Sequence, residues 1–575
     1  MRLTCNKSVV VIILYIIFLS SNNTYAIVTV GLLEDGCDFS TLQAAYNSND
    51  PIVHVTTQMS HSQTFTISKS KIFIGGYDDC DTARNGQPGN DRTIWFKSAA
   101  LPSTVIKINA NEAFQSVITF SNFDITGGKD LSLGGAGGIR IQGNSAVTIF
   151  NSVIHENLGD YGGGISIYGE NAKLTLNATE ILENVATTAG GGISCLLSAT
   201  VIIQNESLLG ANASGNMGGG LYTSSECTVS ILSADIYANQ AIMFGGGIYA
   251  DDGSVISMMG SSTDTVVIAT NKTTTENNTP TGGGIYAKGV GTSITAINTT
   301  IYLNFAERWG AGLVIKDFAN FTMGRIDEPC TYTANYACSS IYNNQVIAVE
   351  GISVSAAGDF DSNATIDISQ TLIVGNSSQD TAVFSISNNA NVRLEGNLIL
   401  ANRSLNANGN NKLIDLSGPQ GSGGVLDFHY NTVIGNIGDH LFKLNNTSQQ
   451  TLNISHSIIS AQSDILYMPA GMAHNIHMDC TIVNEEASLN SLGDLATVIV
   501  TDPSFVNAEG SNYHLSPNSP AIDYCDESLE QSQHNDLEGN QRGIDDPNVI
   551  DNLGVFDLGA FEYQAIDIIF NNGFE

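Results

Sequence analysis

The chain is short of positive charge. Lys and Arg number 21 in 575 residues against 56 Asp and Glu, for a formal net charge of −35. Nucleic acid binding depends on neutralising phosphates with those two residue types, so that class of partner is excluded. After the first 26 residues no apolar run approaches the ~18–20 residues of a helical membrane span, and no series of amphipathic strands is long enough for an outer-membrane barrel. No set of Cys and His has the spacing of zinc ligands. The expected partners are therefore an extracellular glycan or a surface protein, with no cofactor and no metal site marked by a motif. Calcium is the one ion that the acidic balance suits.

What the sequence has instead is glycine, and much of it recurs on a period. Residues 134–315 contain GGAGGIRI, GGGISIY, GGGISCL, GGGLYT, GGGIYA, GGGIYAK and GAGLVI. The first apolar residue of each is Ile139, Ile165, Ile193, Leu221, Ile248, Ile285 and Leu313, at intervals of 26, 28, 28, 27, 37 and 28 residues. Such a period marks a solenoid. A second series sets Asn three positions after an apolar residue: Ile154/Asn157, Ile181/Asn184, Leu209/Asn212, Ile236/Asn239, Ile268/Asn271, Ile301/Asn304, Ile341/Asn344, Ile373/Asn376, Ile399/Asn402 and Val433/Asn436. It carries the solenoid past the last Gly-rich turn, to at least residue 436.

Between these marks the chain alternates with period two, as in Ala146-Val147-Thr148-Ile149 and Val229-Ser230-Ile231, which is strand patterning. About three short strands with their turns fill one coil, each strand pairing with its equivalents ~4.8 Å above and below. The predicted fold is all-β, a single-stranded right-handed parallel β-helix (solenoid) with a short N-terminal capping helix. It has roughly 12–15 coils and is on the order of 60–70 Å long. The apolar column is expected inside. The Asn is expected at a bend, in the left-handed conformation and bonded along the stack.

In residues 130–320 the Gly-rich turn and the apolar-x-x-Asn step together resemble the chlamydial polymorphic outer membrane protein repeat. The departure is an aliphatic residue where that family has Phe. The resemblance implies the β-helix fold.

At the start, Arg2 and Lys7, a 12-residue apolar run from Ser8 to Leu19, and Thr24-Tyr25-Ala26 have the layout of a secretory signal peptide over residues 1–26. Its removal takes Cys5 and leaves eight of the nine Cys, an even number in a secreted chain. Cys37 with Cys80 and Cys330 with Cys338 are the expected disulfides. Cys195, at an inward position, is either a buried free thiol or a bridge, and the pairing of Cys227, Cys480 and Cys525 is open. Ser40 and Gln43 form a candidate capping box for a helix with Leu42, Ala45 and Tyr46 on one face. Residues 27–100 are read as an N-terminal cap and 101–500 as the repeats. The cap, with Gly36 through Ala45 and Gly75-Gly76-Tyr77-Asp78-Asp79-Cys80, is similar to that of bacterial secreted β-helix proteins.

Residues 501–563 differ in texture: Asp502-Pro503-Ser504-Phe505-Val506-Asn507, Tyr513-His514-Leu515, Ser519-Pro520-Ala521-Ile522-Asp523 and Asp557-Leu558-Gly559-Ala560-Phe561-Glu562. This order resembles the choice-of-anchor Q module at the C-terminal end of bacterial surface β-helix proteins. Tyr524-Cys525 departs from it where a Gly is common. The tail, 564–575, is either a frayed terminus or a sorting signal. The signal peptide, the solenoid, the terminal module and the missing catalytic motif taken together lead to the expectation of a secreted or bacterial cell-surface protein, associated with the outer membrane, that serves as an adhesion or interaction scaffold.

The alternative is a polysaccharide lyase or glycoside hydrolase on an extracellular acidic glycan. Such an enzyme needs clustered carboxylates or a cation in a groove. The paired Asp, Gly-His-Gly and Arg-x-Lys steps of polygalacturonases are absent from the sequence. Asp78-Asp79, Asp251-Asp252 and Asp545-Asp546 read as turns or solvated pairs. Three features are candidates for a site. Tyr222, Tyr249 and Tyr286 follow column residues and turn outward on successive coils, where they stack a ligand or one another. Glu307 and Arg308 are candidate catalytic residues, beside Trp309, one of two Trp in the chain, ahead of the insert at 316–340. His474 and His477 would face opposite sides of a strand and are read as structural.

Overall fold

The computed structural model describes residues 27–57, 60–61, 64–97, 103–110, 114–261, 263–274, 281–325, 339–346, 355–379, 382–405, 411–419, 422–445, 447–460, 464–469, 473–484, 495–526 and 535–564. They form an all-β parallel solenoid of about 14 turns. The expected signal peptide, Cys330, Cys338 and the residues after 564 lie outside the described residues. Among those described, no helix is long and apolar enough to cross a membrane.

Each regular coil contains four strands rather than the expected three. One coil runs Ile165–Tyr168, Lys173–Asn177, Glu180–Leu182 and Val185–Ala189. Their equivalents stack into sheets of 14, 16, 16 and 10 strands, called here sheets I to IV in that order. The fourth strand fills the path from the Asn to the next Gly-rich turn and shrinks to two residues in Ala213–Ser214, too short to show a period of its own.

The interior follows the sequence columns. Ile139, Ile165, Ile193, Leu221, Ile248, Ile285 and Leu313 are register partners in turn along sheet I, and all are fully buried. In sheet II, Val147, Leu174, Val201, Val229, Ile256 and Ile294 align in the same way. Alternation places each strand's other residues outside.

The ten Asn form one unbroken ladder. From Asn157 to Asn402 each Nδ2 donates to the Oδ1 of the next Asn at 2.9–3.1 Å. The backbone N–H donates to that same oxygen. Each Nδ2 also reaches a carbonyl one coil back, as Asn184 does to Ile154. The left-handed residue, however, is the one before the Asn: Glu156, Glu183, Ala211, Ala238, Thr270, Leu303, Asn343 and Ala401 have φ of 48–55°. The bend sits at that position, and the Asn accordingly keeps an ordinary backbone and spends its side chain on the ladder.

The Gly-rich corner needs glycine for two separate reasons. Gly190 has φ +69°, and a Cβ on Gly191 would come within 2.4 Å of the carbonyl oxygens of Ala213 and Gly219. The first residue bends the chain, and the second lets neighbouring coils touch.

At the N-terminal end, helix α1 (Leu42–Asn47) sends Leu42, Ala45 and Tyr46 into the core. Its N-cap is Thr41, whose Oγ1 accepts from Ala44 N at 3.2 Å, not the expected Ser40. Helix α2 (Cys80–Asn85) starts from a capping box of Asp79 and Thr82. The Cys37–Cys80 disulfide is present. Cys195 is bridged to Cys227 inside the core, which decides against a free thiol there, and Cys480 is bridged to Cys525.

Candidate functional site

Tyr222, Tyr249 and Tyr286 do point away from the barrel on sheet I, and they are stacked face to face. Their ring centroids are 5.4 and 5.3 Å apart, with interplanar angles of 14° and 4°. They are not an exposed ladder, being 7%, 1% and 5% exposed. The residue before each Gly-rich turn lies in a parallel column, Ala189, Met217, Phe244, Thr281 and Trp309. Met217 and Phe244 pack over the tyrosines with Tyr161, Leu196 and Val314. Burial pushes the phenols up, Tyr222 to about 12, so these hydroxyls stay protonated. Tyr249 donates to Asp251 Oδ2 at 2.9 Å. The stack is a second apolar spine running along the outside of sheet I.

Trp309 continues the column that covers this spine, one coil beyond Thr281. Glu307 and Arg308 precede it, and all three side chains are half-buried. The fold brings Trp309 to the edge of the tyrosine spine. His474 Nδ1 accepts from Gln450 N at 3.2 Å, and His477 Nε2 lies 3.3 Å from Asp479 Oδ2, both local structural roles.

A different aromatic column does face solvent. On the outside of sheet III the register runs Gly210, Tyr237, Ala269, Tyr302, Tyr342, Val374. Tyr302 and Tyr342 are half-buried, and their rings stack at 4.6 Å and 4°. Tyr237 is 38% exposed, its ring lying across Gly210 where a Cβ would meet it at 2.6 Å. Ala269, between Tyr237 and Tyr302 in the column, is buried. The neighbouring outward column carries Asp235, Val267, Thr300 and Ser340, and Ser340 Oγ donates to Thr300 Oγ1 at 3.3 Å. Thr300 and Ser340 are buried, so what this face offers is aromatic surface, the group that stacks on a sugar ring. Sequence reasoning passed over this column, although its signal was of the same kind: Tyr237, Tyr302 and Tyr342 each directly follow an apolar residue of the Asn series.

Beyond Tyr342 the same face is covered. The segment after residue 500 folds back over sheet III as a strap. Leu537, Ala560 and Phe561 pack on Leu372, Leu398 and Leu400; Leu515, Ala521, Ile522 and Leu558 pack on Ile458 and Ile482. Gly559 N donates to His456 O and Ala560 N to Thr432 Oγ1, both at 2.8 Å. Gly559 has φ +92°, and a Cβ there would lie 2.5 Å from Thr432 Oγ1. Arg325 donates to Leu537 O at 3.0 Å, and the Cys480–Cys525 disulfide ties the strap covalently.

Acidic residues hold the strap's own turns. Asp536 accepts from the backbone of Glu538, Asn540 and Glu562, and Asp557 Oδ1 accepts from Asp523 N at 2.9 Å. Glu562 Oε2 is 4.0 Å from Arg542, whose guanidinium lies 4.3 Å from the Tyr430 ring centroid. Burial raises both Asp557 and Glu562 above the ordinary carboxylate range.

No family model matches the chain. Over 189 residues, or 32% of its length, it is 26% identical to the metabotropic glutamate receptor-like protein R of Dictyostelium discoideum. The match spans 11% of that protein, so the chain covers about a tenth of the curated relative. Among solved structures it is similar to the DFA-IIIase of Arthrobacter chlorophenolicus A6 in complex with GF2, at 10% identity and a TM-score of 0.22, over 72% of this chain and 91% of that one.

Proposed function

We propose that this protein is an extracellular adhesion or interaction scaffold, secreted or held at a cell surface, that binds glycan through the tyrosine face of sheet III. The observation that carries the reading is the half-exposed, outward-facing pair Tyr302 and Tyr342, stacked at 4.6 Å. The disulfides suit an oxidising compartment. A solenoid braced by the Asn ladder offers a rigid surface, and rigidity lowers the ordering cost of binding.

The test is retention on a panel of immobilised polysaccharides, neutral and acidic, with release of reducing ends and unsaturated products followed in parallel. Retention on at least one glycan, lost in Tyr302→Ala/Tyr342→Ala and unchanged in a variant of the buried spine that still folds, such as Tyr249→Phe, supports the scaffold. Steady release of product would replace it with the lyase or hydrolase reading. Equal retention of the double variant would move the binding face elsewhere.

A further inference from the structure

We propose that the C-terminal strap contains a divalent-cation site, suited to calcium, built from Asp523, Asp545 and Asp551. One carboxylate oxygen from each lies within 4.8 Å of the others. Asp545 and Asp551 are exposed, whereas Asp523 is fully buried. Asp523 Oδ2 accepts from Asp546 N at 3.1 Å, but its Oδ1 is buried without a hydrogen-bond partner. A lone buried carboxylate oxygen costs free energy that a bound cation removes.

The backbone, not mutual attraction, sets this arrangement. Asp523 is left-handed at φ 48°, and its N–H is fixed on Asp557. The loop carrying the other two carboxylates is fastened to it: Asn552 N donates to Asp523 O and Leu553 N to Tyr524 O, both at 3.1 Å. Asp546 closes a turn in that loop by accepting from Asn548 N and Nδ2 at 3.0 and 2.9 Å. Three like charges are thus held together, with no ion pair to any of them among the described residues.

Hard oxygen donors with two exposed members fit an alkaline-earth ion that keeps part of its water shell. Calcium's larger and more flexible coordination suits an irregular loop better than magnesium's octahedron. His456 lies close to Cys480 and Cys525, but the disulfide consumes both thiols, so that group is no ligand set. The site joins the loop after Arg542 to the strap and is independent of any glycan reading.

The test uses the full chain, stripped with chelator and titrated with calcium chloride by calorimetry, with magnesium chloride as the comparison. One saturable calcium site per chain is expected, on the order of 10⁻⁴–10⁻³ M as in extracellular modules, together with a rise in melting temperature. Asp545→Asn and Asp551→Asn, at exposed positions that fold, should each weaken calcium about tenfold or more. Asp252→Asn, on a distant turn, should leave binding unchanged. Absence of a saturable site, or equal affinity in the Asp545→Asn/Asp551→Asn double variant, overturns the proposal. Tighter magnesium than calcium overturns the choice of ion.

Discussion

The side-chain amide of Asn304 donates to Oδ1 of Asn344 at 3.0 Å across a sequence separation of 40 residues, while Asn376 makes the same bond to Asn402 across 26. The ladder is indifferent to the length of chain between its rungs. Each rung fixes the height and rotation of its coil, so a longer interval between rungs does not shift the register. Lengthening a loop costs little beyond slowly growing closure entropy.

A broken rung should therefore be costly. In Asn271→Ala the backbone N–H and Nδ2 of Asn239 lose their acceptor, and Ile236 O loses a donor. At about 1–3 kcal/mol for each buried unsatisfied group, the expected loss is roughly 3–5 kcal/mol. Asn320→Ala, at an exposed strand position, should stay within about 0.5 kcal/mol. Urea unfolding of the two variants checks this, and similar midpoints would deny the ladder its role.

The two tyrosine columns should separate stability from binding. Tyr249→Ala opens a cavity in a buried stack and should cost about 3–5 kcal/mol. Tyr302→Ala, on the half-exposed face, should cost on the order of 1 kcal/mol. Thermal unfolding of both variants beside the wild type gives the answer.

The Cys195–Cys227 bridge closes a separation of 32 residues wholly within the core. Replacing both residues with Ala should destabilise by about 3–4 kcal/mol on chain-entropy grounds. In the native wild type, neither sulfur should react with a thiol reagent after mild reduction until denaturant is added. Mass spectrometry after alkylation reads this directly.

His429 should make stability fall in acid. Its imidazole is buried, with Nδ1 2.7 Å from Ser455 Oγ, and burial holds it down to about 4 against attraction from Asp427 and Glu395, with Arg393 and His456 also lowering it. The folded chain is thus harder to protonate than the unfolded one. The stabilising effect of the neutral ring is fully present above pH ~6.5 and is lost as pH falls toward 4, by on the order of 3 kcal/mol. His429→Asn should flatten the urea midpoint between pH 6.5 and 4, whatever its effect at pH 7. An unchanged slope would refute the assignment.

Much of the architecture was legible because a solenoid writes its contacts at a fixed spacing. The column from Ile139 to Leu313 and the Asn series could be aligned by eye, and both are contact lists. Other features left no such trace. Alternation says that Tyr249 leaves the barrel, but not that Phe244, five residues earlier and ahead of the Gly-rich turn, folds back to cover it. Asn is a common left-handed residue, so the pattern alone could not assign the bend to Glu183 rather than Asn184. The strap was the least legible, since Arg325 and Leu537 are 212 residues apart and share no period. Asp523, Asp545 and Asp551 stood in the sequence as separate acidic residues until the loop at 546–553 folded against the 523–524 backbone.

The strap also makes the rod mechanically unequal along its length. Coils from Leu372 onward are laced together from outside by one segment, which also takes a hydrogen bond from Arg325, whereas among the described residues the earlier coils pair with their immediate neighbours. Under tension the early coils should yield one at a time, as beads leave a string, except where the Cys37–Cys80 and Cys195–Cys227 bridges hold them. The later ones must yield as a block, behind a disulfide between Cys480 and Cys525 that force alone does not open. A body built this way yields progressively at one end and holds rigid at the other.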